Sequence, residues 1–321
     1  MTRSPQEHEE LMLTAAELYH YEGLAQTEVA ARMGVTRWTV GRLLDDAKQA
    51  GIVRVVIDHP RARRHELELM LEKAFGLREA VVVTDQPRPA DTLQLVGQAA
   101  TRQLRGLSPR LRRLAVGWGR TVAAVAAALP AGWAHGIEIV RTNGGPAVAR
   151  GNPVGNSLYA LAEKGPGTVR ALAGPTILGS ARTAKALRRD ASIAGTLAAA
   201  ERSAAMLYSP GAVDSDSVLV QSGYMGADQI ADLSDLGVVG DVMSHFILED
   251  GTPADQDLDE RTLSISLDAV RNCPTVIGVV TGDKKKAATL AVVKAGLVTT
   301  LITDSCIPAY VLASSQGGDA E

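Results

Sequence analysis

Apolar positions near the start of the chain repeat at helical spacing. Leu11, Leu13, Ala16, Leu18 and Tyr19 mark one helix that stops near Gly23. A short second helix is expected over 28–33, capped by Thr27, and a third over 37–50, capped by Thr36 and ended by Gly51. Gly34 between them suits a residue of positive φ at a helix C-terminus. Ala30 is the small inward residue, and Val35, Val40 and Leu43 are the apolar contacts, of two helices that cross steeply. The run "GIVRVVI" that follows reads as a strand, the start of a wing at Ile52. After a basic, Pro-containing stretch, Leu67, Leu69, Met70, Leu71 and Phe75 mark a further helix, which packs either on its own domain or on another chain.

From Leu77 onward the pattern changes. Short apolar runs at 80–84, 114–117, 137–142, 169–172, 217–221, 276–281 and 299–303 alternate with helical stretches such as 91–104, 120–129 and 284–295. Alternation of that kind predicts an α/β domain, a Rossmann-like, mostly parallel sheet with helices on both faces and ligands at the carboxyl ends of its strands. The expected division is 1–57 for a winged helix-turn-helix, 58–64 for a linker and 65–321 for the α/β domain.

The helix-turn-helix leaves Thr36, Arg37, Trp38 and Thr39 facing away from its core, with Arg42 one turn on. Recognition helices present these first positions to base edges in the major groove of double-stranded DNA. Arg37 or Arg42 can read guanine with two hydrogen bonds, the Thr hydroxyls can reach phosphates, and Trp38 can cover a thymine methyl or the backbone. Gln26 and Thr27 stand where phosphates usually lie. The competing reading is a generic helical hairpin. A net charge of −3 confines any nucleic-acid contact to this module.

Three strand ends carry distinctive chemistry. In "AVGWGRTVAAV", Gly117 and Gly119 allow close backbone approach, and Arg120 and Thr121 open a helix whose free N–H groups attract an anion. A dinucleotide site fits less well, because Val122 replaces the third glycine and Glu138 falls in mid-strand. In "VRTNGGPA", Asn143, Gly144 and Gly145 form a turn or offer amides to a polyhydroxylated ligand. In "VVTGDKKKAATL", three lysines oppose the dipole of the helix they begin unless an anion compensates one; the alternative is a solvated turn relieved by Asp283.

Composition narrows the class. The 321 residues are 46% hydrophobic and 21% charged, as in a soluble globular protein, and only 3% aromatic. Cys273 and Cys306 are too few for a disulfide framework or a zinc cluster and read as core thiols, so neither metal nor cofactor is expected. The opening "MTRSPQEHEE" lacks a signal-peptide core, and the longest apolar runs, 121–129 and 290–298, fall short of the ~20 residues of a membrane span. A cytoplasmic protein with no membrane partner is expected.

In order along the chain, the helix-turn-helix, "VGWGRT", "TNGG", "GVVGDVMSHFILEDG" and "TGDKKKAATLAVVKAGLVTTLITD" resemble the SorC family of sugar-responsive bacterial transcriptional regulators. The resemblance implies an effector domain similar to sugar-phosphate isomerases and deaminases, a phosphorylated sugar or polyol as effector, and a homo-oligomer, dimer or tetramer, on operator DNA. It places Gly117, Gly119, Arg120 and Thr121 in an effector loop, Asn143, Gly144 and Gly145 in the same cleft, Asp241 on effector hydroxyls, and Lys286 at the family's usual lysine. Two departures stand out. The family's glycine pair is Gly282-Asp283 here, and its Phe-Phe-Asp run reads Phe246-Ile247-Leu248-Glu249-Asp250. An isomerase or deaminase would need a general base, for which Asp241 is chemically competent, with His245 nearby. His245 reads instead as a structural residue on a strand or its edge. The resulting expectation is a ligand-controlled regulator, not an enzyme; the alternative is an enzyme with an accessory DNA-binding domain.

Overall fold

The computed structural model describes residues 5–53, 63–108, 111–145 and 152–316. It divides into two compact units, Met1–His59 and Pro60–Glu321. Residues 54–57 of the expected wing and 58–62 of the expected linker lie outside the described residues.

In the first unit, α1 (Pro5–His20), α2 (Gln26–Met33) and α3 (Arg37–Gln49) close around Ala15, Val29, Ala30, Val40, Leu43 and Ala47. Gly34 ends α2 at φ 66°, and the Thr36 hydroxyl accepts from Thr39 N at 3.2 Å, so turn and cap form where local chemistry favours them. The start of α2 differs from expectation. Its cap is Ala25, whose N–H donates to Glu28 Oε2 at 2.7 Å, and Thr27 already lies inside the helix. The carboxylate three residues on accepts from the N–H of the cap residue itself, the Glu half of a capping box.

In the second unit, the strands are β1 (Glu79–Val83), β2 (Arg113–Val116), β3 (Glu138–Arg141), β4 (Thr168–Arg170), β5 (Ala205–Tyr208), β6 (Gly240–Val242), β7 (His245–Ile247), β8 (Thr275–Val279) and β9 (Thr300–Asp304). Among the described residues, seven of them form one sheet in the order β1-β9-β8-β5-β2-β3-β4, with every pair parallel. Helices pack on the sheet and divide the core into two large clusters. No helix of the described residues is long and apolar enough to cross a membrane.

One strand reading is corrected. The run at 217–221 is not a strand; Val218–Gln221 is a short helix whose first turn is capped by Ser217 Oγ accepting from Val220 N. The strand of that region is β5, four buried residues at the centre of the sheet. Its sequence AMLY follows an Ala-rich helix, Ala191–Glu201, after only three residues, so the apolar run shows no change of period.

The edge of the sheet is shielded by α4 (His65–Phe75). Ala80 N and Val82 N of β1 donate to Glu72 Oε1 and Glu68 Oε1, each at 2.8 Å, and Arg64 N donates to Val82 O at 2.9 Å. An edge strand with its donors occupied no longer templates pairing with another chain. Buried Leu71 anchors α4 to its own unit, with Leu67 and Phe75 beside it, while Leu69 and Met70 stay exposed.

Candidate functional site

The strand order fixes where a ligand can enter. From β2 the chain runs outward to β3 and β4, and from β5 it runs the other way to β8 and β9. The loops leaving β2 and β5 therefore diverge and open a crevice at their carboxyl ends. A cavity of about 300 Å³ occupies it.

The β2 end contributes Gly117 to Thr121. The helix Arg120–Ala128 starts here with no side chain capping it, so its first-turn amides lack acceptors. Arg120 is exposed at the rim, and the buried Thr121 hydroxyl accepts from Ser209 Oγ at 3.4 Å. Helix dipole, free amides and a guanidinium converge on one point, which is the chemistry of an anion site.

Asp241 lies on the wall of the cavity, on the hairpin β6–β7. The two-residue turn of that hairpin has positive φ at both Met243 (51°) and Ser244 (75°), a conformation usually given to Asn-Gly. Three contacts hold the strain: Ser244 N donates to Asp241 Oδ2 at 2.9 Å, and Ser244 Oγ accepts from Asn143 Nδ2 at 3.0 Å and Thr176 Oγ1 at 2.9 Å. Gly211, after β5, exchanges both backbone hydrogen bonds with Asp241; a Cβ there would stand 1.7 Å from Asp241 Oδ1, so only glycine leaves room for the carboxylate.

The lysine run resolves into three environments. Asp283–Lys285 form a 3₁₀ turn and the α-helix begins at Lys286, so consecutive side chains point in different directions. Lys284 pairs with Asp214 at 3.2 Å and Asp216 at 3.0 Å. Lys286, the lysine implied by the resemblance, does not line the cavity; its Nζ pairs with Asp283 at 2.5 Å. Lys284 and Lys285 both line the cavity, and Lys285 is the one held inside, donating to Ser209 Oγ at 2.8 Å. Burial pushes its ammonium down to about 8, against the opposing pull of Asp241. Burial likewise raises the Asp241 carboxyl. Each charge is undersolvated, and an anion arriving beside Lys285 stabilises its protonated form.

The "TNGG" turn is used differently from expectation. Asn143 lines the cavity, but its amide group is already engaged by Ser244 and Thr142. Gly144 N donates to Leu263 O and Gly145 N to Gly174 O, so neither amide is free for a ligand, and neither glycine lines this cavity. The glycines allow close packing instead. Trp118 Nε1 donates to Gly144 O at 2.6 Å, and a Cβ on Gly144 would lie 2.4 Å from Pro175 O. Gly144→Ala is expected to cost about 1–3 kcal/mol, because backbone cannot step aside cheaply. Urea denaturation checks this, and an unchanged midpoint would remove the packing argument.

Sequence reasoning did not single out Trp118, Ser209, Gly211, Asp214, Ser244 or Lys285. The signal available was "YSPGAVD" after β5, legible only once β5 is known as a central strand. His245 lies on β7 but outside this cavity; its Nδ1 meets Asp259 Oδ1 at 2.5 Å and its Nε2 meets Ile265 O at 2.8 Å. It fastens the hairpin and is not a partner for Asp241 in proton transfer.

On the first unit, Arg37, Trp38, Arg42 and Thr27 are exposed, as is Thr36, while Thr39 and Gln26 are half-buried. Trp38 is 71% exposed, and the Arg42 guanidinium sits 5.1 Å from its ring centroid. An indole left in water on the first turn of α3, beside two arginines, is a surface suited to a partner.

A family model for a sugar-binding domain, Sugar-bind, matches residues 59–313. The chain is 28% identical over 311 residues to the transcriptional regulator LsrR of Klebsiella pneumoniae, covering 95% of this chain and 93% of that one. It is 26% identical to the deoxyribonucleoside regulator of Bacillus subtilis, over 87% and 90% of the two chains. The fold resembles full-length sorbitol operon regulator SorC from Klebsiella pneumoniae, with a TM-score of 0.71 at 23% identity over 97% of this chain and 100% of that one. A DeoR family transcriptional regulator from Listeria monocytogenes matches with a TM-score of 0.69 at 25% identity, over 77% and 98%. These relatives are named as regulators and not as enzymes.

Proposed function

The chain belongs to the Sugar-bind family, as a SorC-type sugar-responsive transcriptional regulator, and from that premise we propose that its effector is a phosphorylated sugar or polyol bound at the β2–β5 crevice. The observation that carries this reading is the pairing of Lys285 with the uncapped helix start at Arg120 on one cavity. A phosphate there gains the free amides, the guanidinium and the ammonium together. Asp241 and Ser209 then face the hydroxyls of the ligand.

The output is the first turn of α3. Arg37 and Arg42 read guanine, Trp38 covers a thymine methyl or the backbone, and Thr36, Thr39, Gln26 and Thr27 meet the phosphates of operator DNA. Half-sites are gripped by paired subunits of a homo-oligomer, in the cytoplasm where operators are found. The effector changes operator affinity only by as much as it prefers one arrangement of the subunits over another.

Thermal shift and calorimetry with pentose, hexose and polyol phosphates, each beside its unphosphorylated parent, test the reading. The phosphorylated member is expected to raise the melting temperature and to alter operator affinity in a fluorescence anisotropy titration. Equal binding of parent and phosphate ester would remove the phosphate from the proposal.

A further inference from the structure

Outside the effector cavity, one buried guanidinium among the described residues stands without an ion pair. Arg141, the last residue of β3, is 5% exposed. Among the described residues, its one hydrogen bond is a long contact of 3.4 Å from Nη2 to Gly155 O. No Asp or Glu of the described residues lines the cavity into which it opens. A guanidinium cannot escape burial by losing its proton, so an unpaired one keeps a strong demand for an anion.

The surroundings are built around that side chain. Gly145 is wedged between Trp118 and Arg141: a Cβ there would lie 2.4 Å from Trp118 Nε1 and 2.7 Å from Arg141 Nη1. Tyr224 OH donates to Gly145 O at 2.8 Å and fixes the strip. Tyr159 and Tyr224 line the opening, with Leu158 and Pro175 as apolar walls, around a cavity of about 390 Å³. The polar donors at one point and the apolar walls beside it are the general form of a small-molecule site.

We propose that Arg141 anchors a second anion site, separate from the effector cavity, that takes a carboxylate or phosphate group. Arg141 supplies two parallel N–H donors to that group, and Tyr159 faces the remainder of the ligand. The site does not depend on the effector reading, because it shares neither Lys285 nor Arg120 with it.

The test uses the full chain with inorganic phosphate as probe, in a Lys285→Met background that disables the central cavity. Phosphate at a hundredfold excess over its dissociation constant is expected to raise the melting temperature by about 5 °C. Adding Arg141→Gln should abolish that rise; a rise that persists, or no rise with either phosphate or malonate in Lys285→Met alone, overturns the proposal. Malonate in parallel separates the two chemistries, since a carboxylate site responds to it and a phosphate site does not. Should Arg141→Gln fail to fold, wild-type crystals soaked in selenate decide the matter without a variant. An anomalous selenium peak within hydrogen-bond distance of the Arg141 guanidinium is the expected result. Selenium confined to the Lys285 cavity overturns the second site and leaves the effector reading intact; selenium at Arg141 alone does the reverse.

Discussion

Lys285→Met abolishes the effector response, with calorimetric affinity for the sugar phosphate reduced by about 2–5 kcal/mol, roughly thirty- to several-thousand-fold. The magnitude follows from the position. Lys284 and Lys285 both line the cavity, but Lys284 is exposed and paired with Asp214 and Asp216, whereas the Lys285 ammonium is buried, donates to Ser209 Oγ and feels the Asp241 carboxyl. Removing Lys285 takes away the buried ammonium that offsets the Asp241 carboxyl beside an arriving phosphate. Lys286→Met is the matched control. Its ammonium pairs with exposed Asp283, a surface contact worth little, so its affinity should remain near wild type. If Lys286→Met loses the effector while Lys285→Met keeps it, the assignment fails.

The same lysine sets a pH dependence. In the free protein Lys285 titrates at about 8, below its ordinary value, because burial disfavours its charge. A bound phosphate favours that charge, so the lysine takes up a proton on binding at any pH above 8. Affinity should therefore fall as pH rises through 8, approaching tenfold per unit, and fall again below about 6 as the phosphate gains its second proton. Flat affinity between pH 7 and 9 would mean that Lys285 does not hold the phosphate.

The second large effect is expected at the other unit. Arg37→Ala should weaken operator binding by about 1–3 kcal/mol and relax preference at one base pair. Arg37 is the first residue of α3, exposed, with its backbone direction set by the Thr36 cap. Arg42 is partly occupied by Trp38, which leaves Arg37 the freer of the two to form a bidentate contact. Binding to a set of single-base operator variants, each at several salt concentrations, separates the roles. A uniform loss across all variants, with the salt slope reduced by about 1, would reassign Arg37 to a phosphate.

The difference in legibility between the two units has a physical cause. Gly34, the Thr36 cap and the small Ala30 act within a few residues of themselves, so the hairpin could be read from spacing alone. The start at Ala25 is hidden because Ala has no capping side chain, and the one local bond is to the Glu28 carboxylate three residues on. In the second unit, strands ending in glycine were visible as strand ends, and "GWGRT" pointed to the β2 loop, which the structure brings to the cavity. Gly144 and Gly145 look the same in sequence as ligand-binding glycines, yet their amides are used by Leu263 and Gly174, residues far away along the chain.

The sequence by itself determined the alternation of helix and strand, the helix-turn-helix with its exposed arginines, and the glycine loop that opens the helix at Arg120, because each depends on periodicity or on contacts between neighbours. Tertiary structure alone decided that β5 is central, that Asn143 is engaged by a strained hairpin turn, and that Lys285 is held in the cavity while Lys286 stays outside it. Those outcomes depend on strand order and on the phase of one 3₁₀ turn, which are settled by packing between segments far apart in the chain.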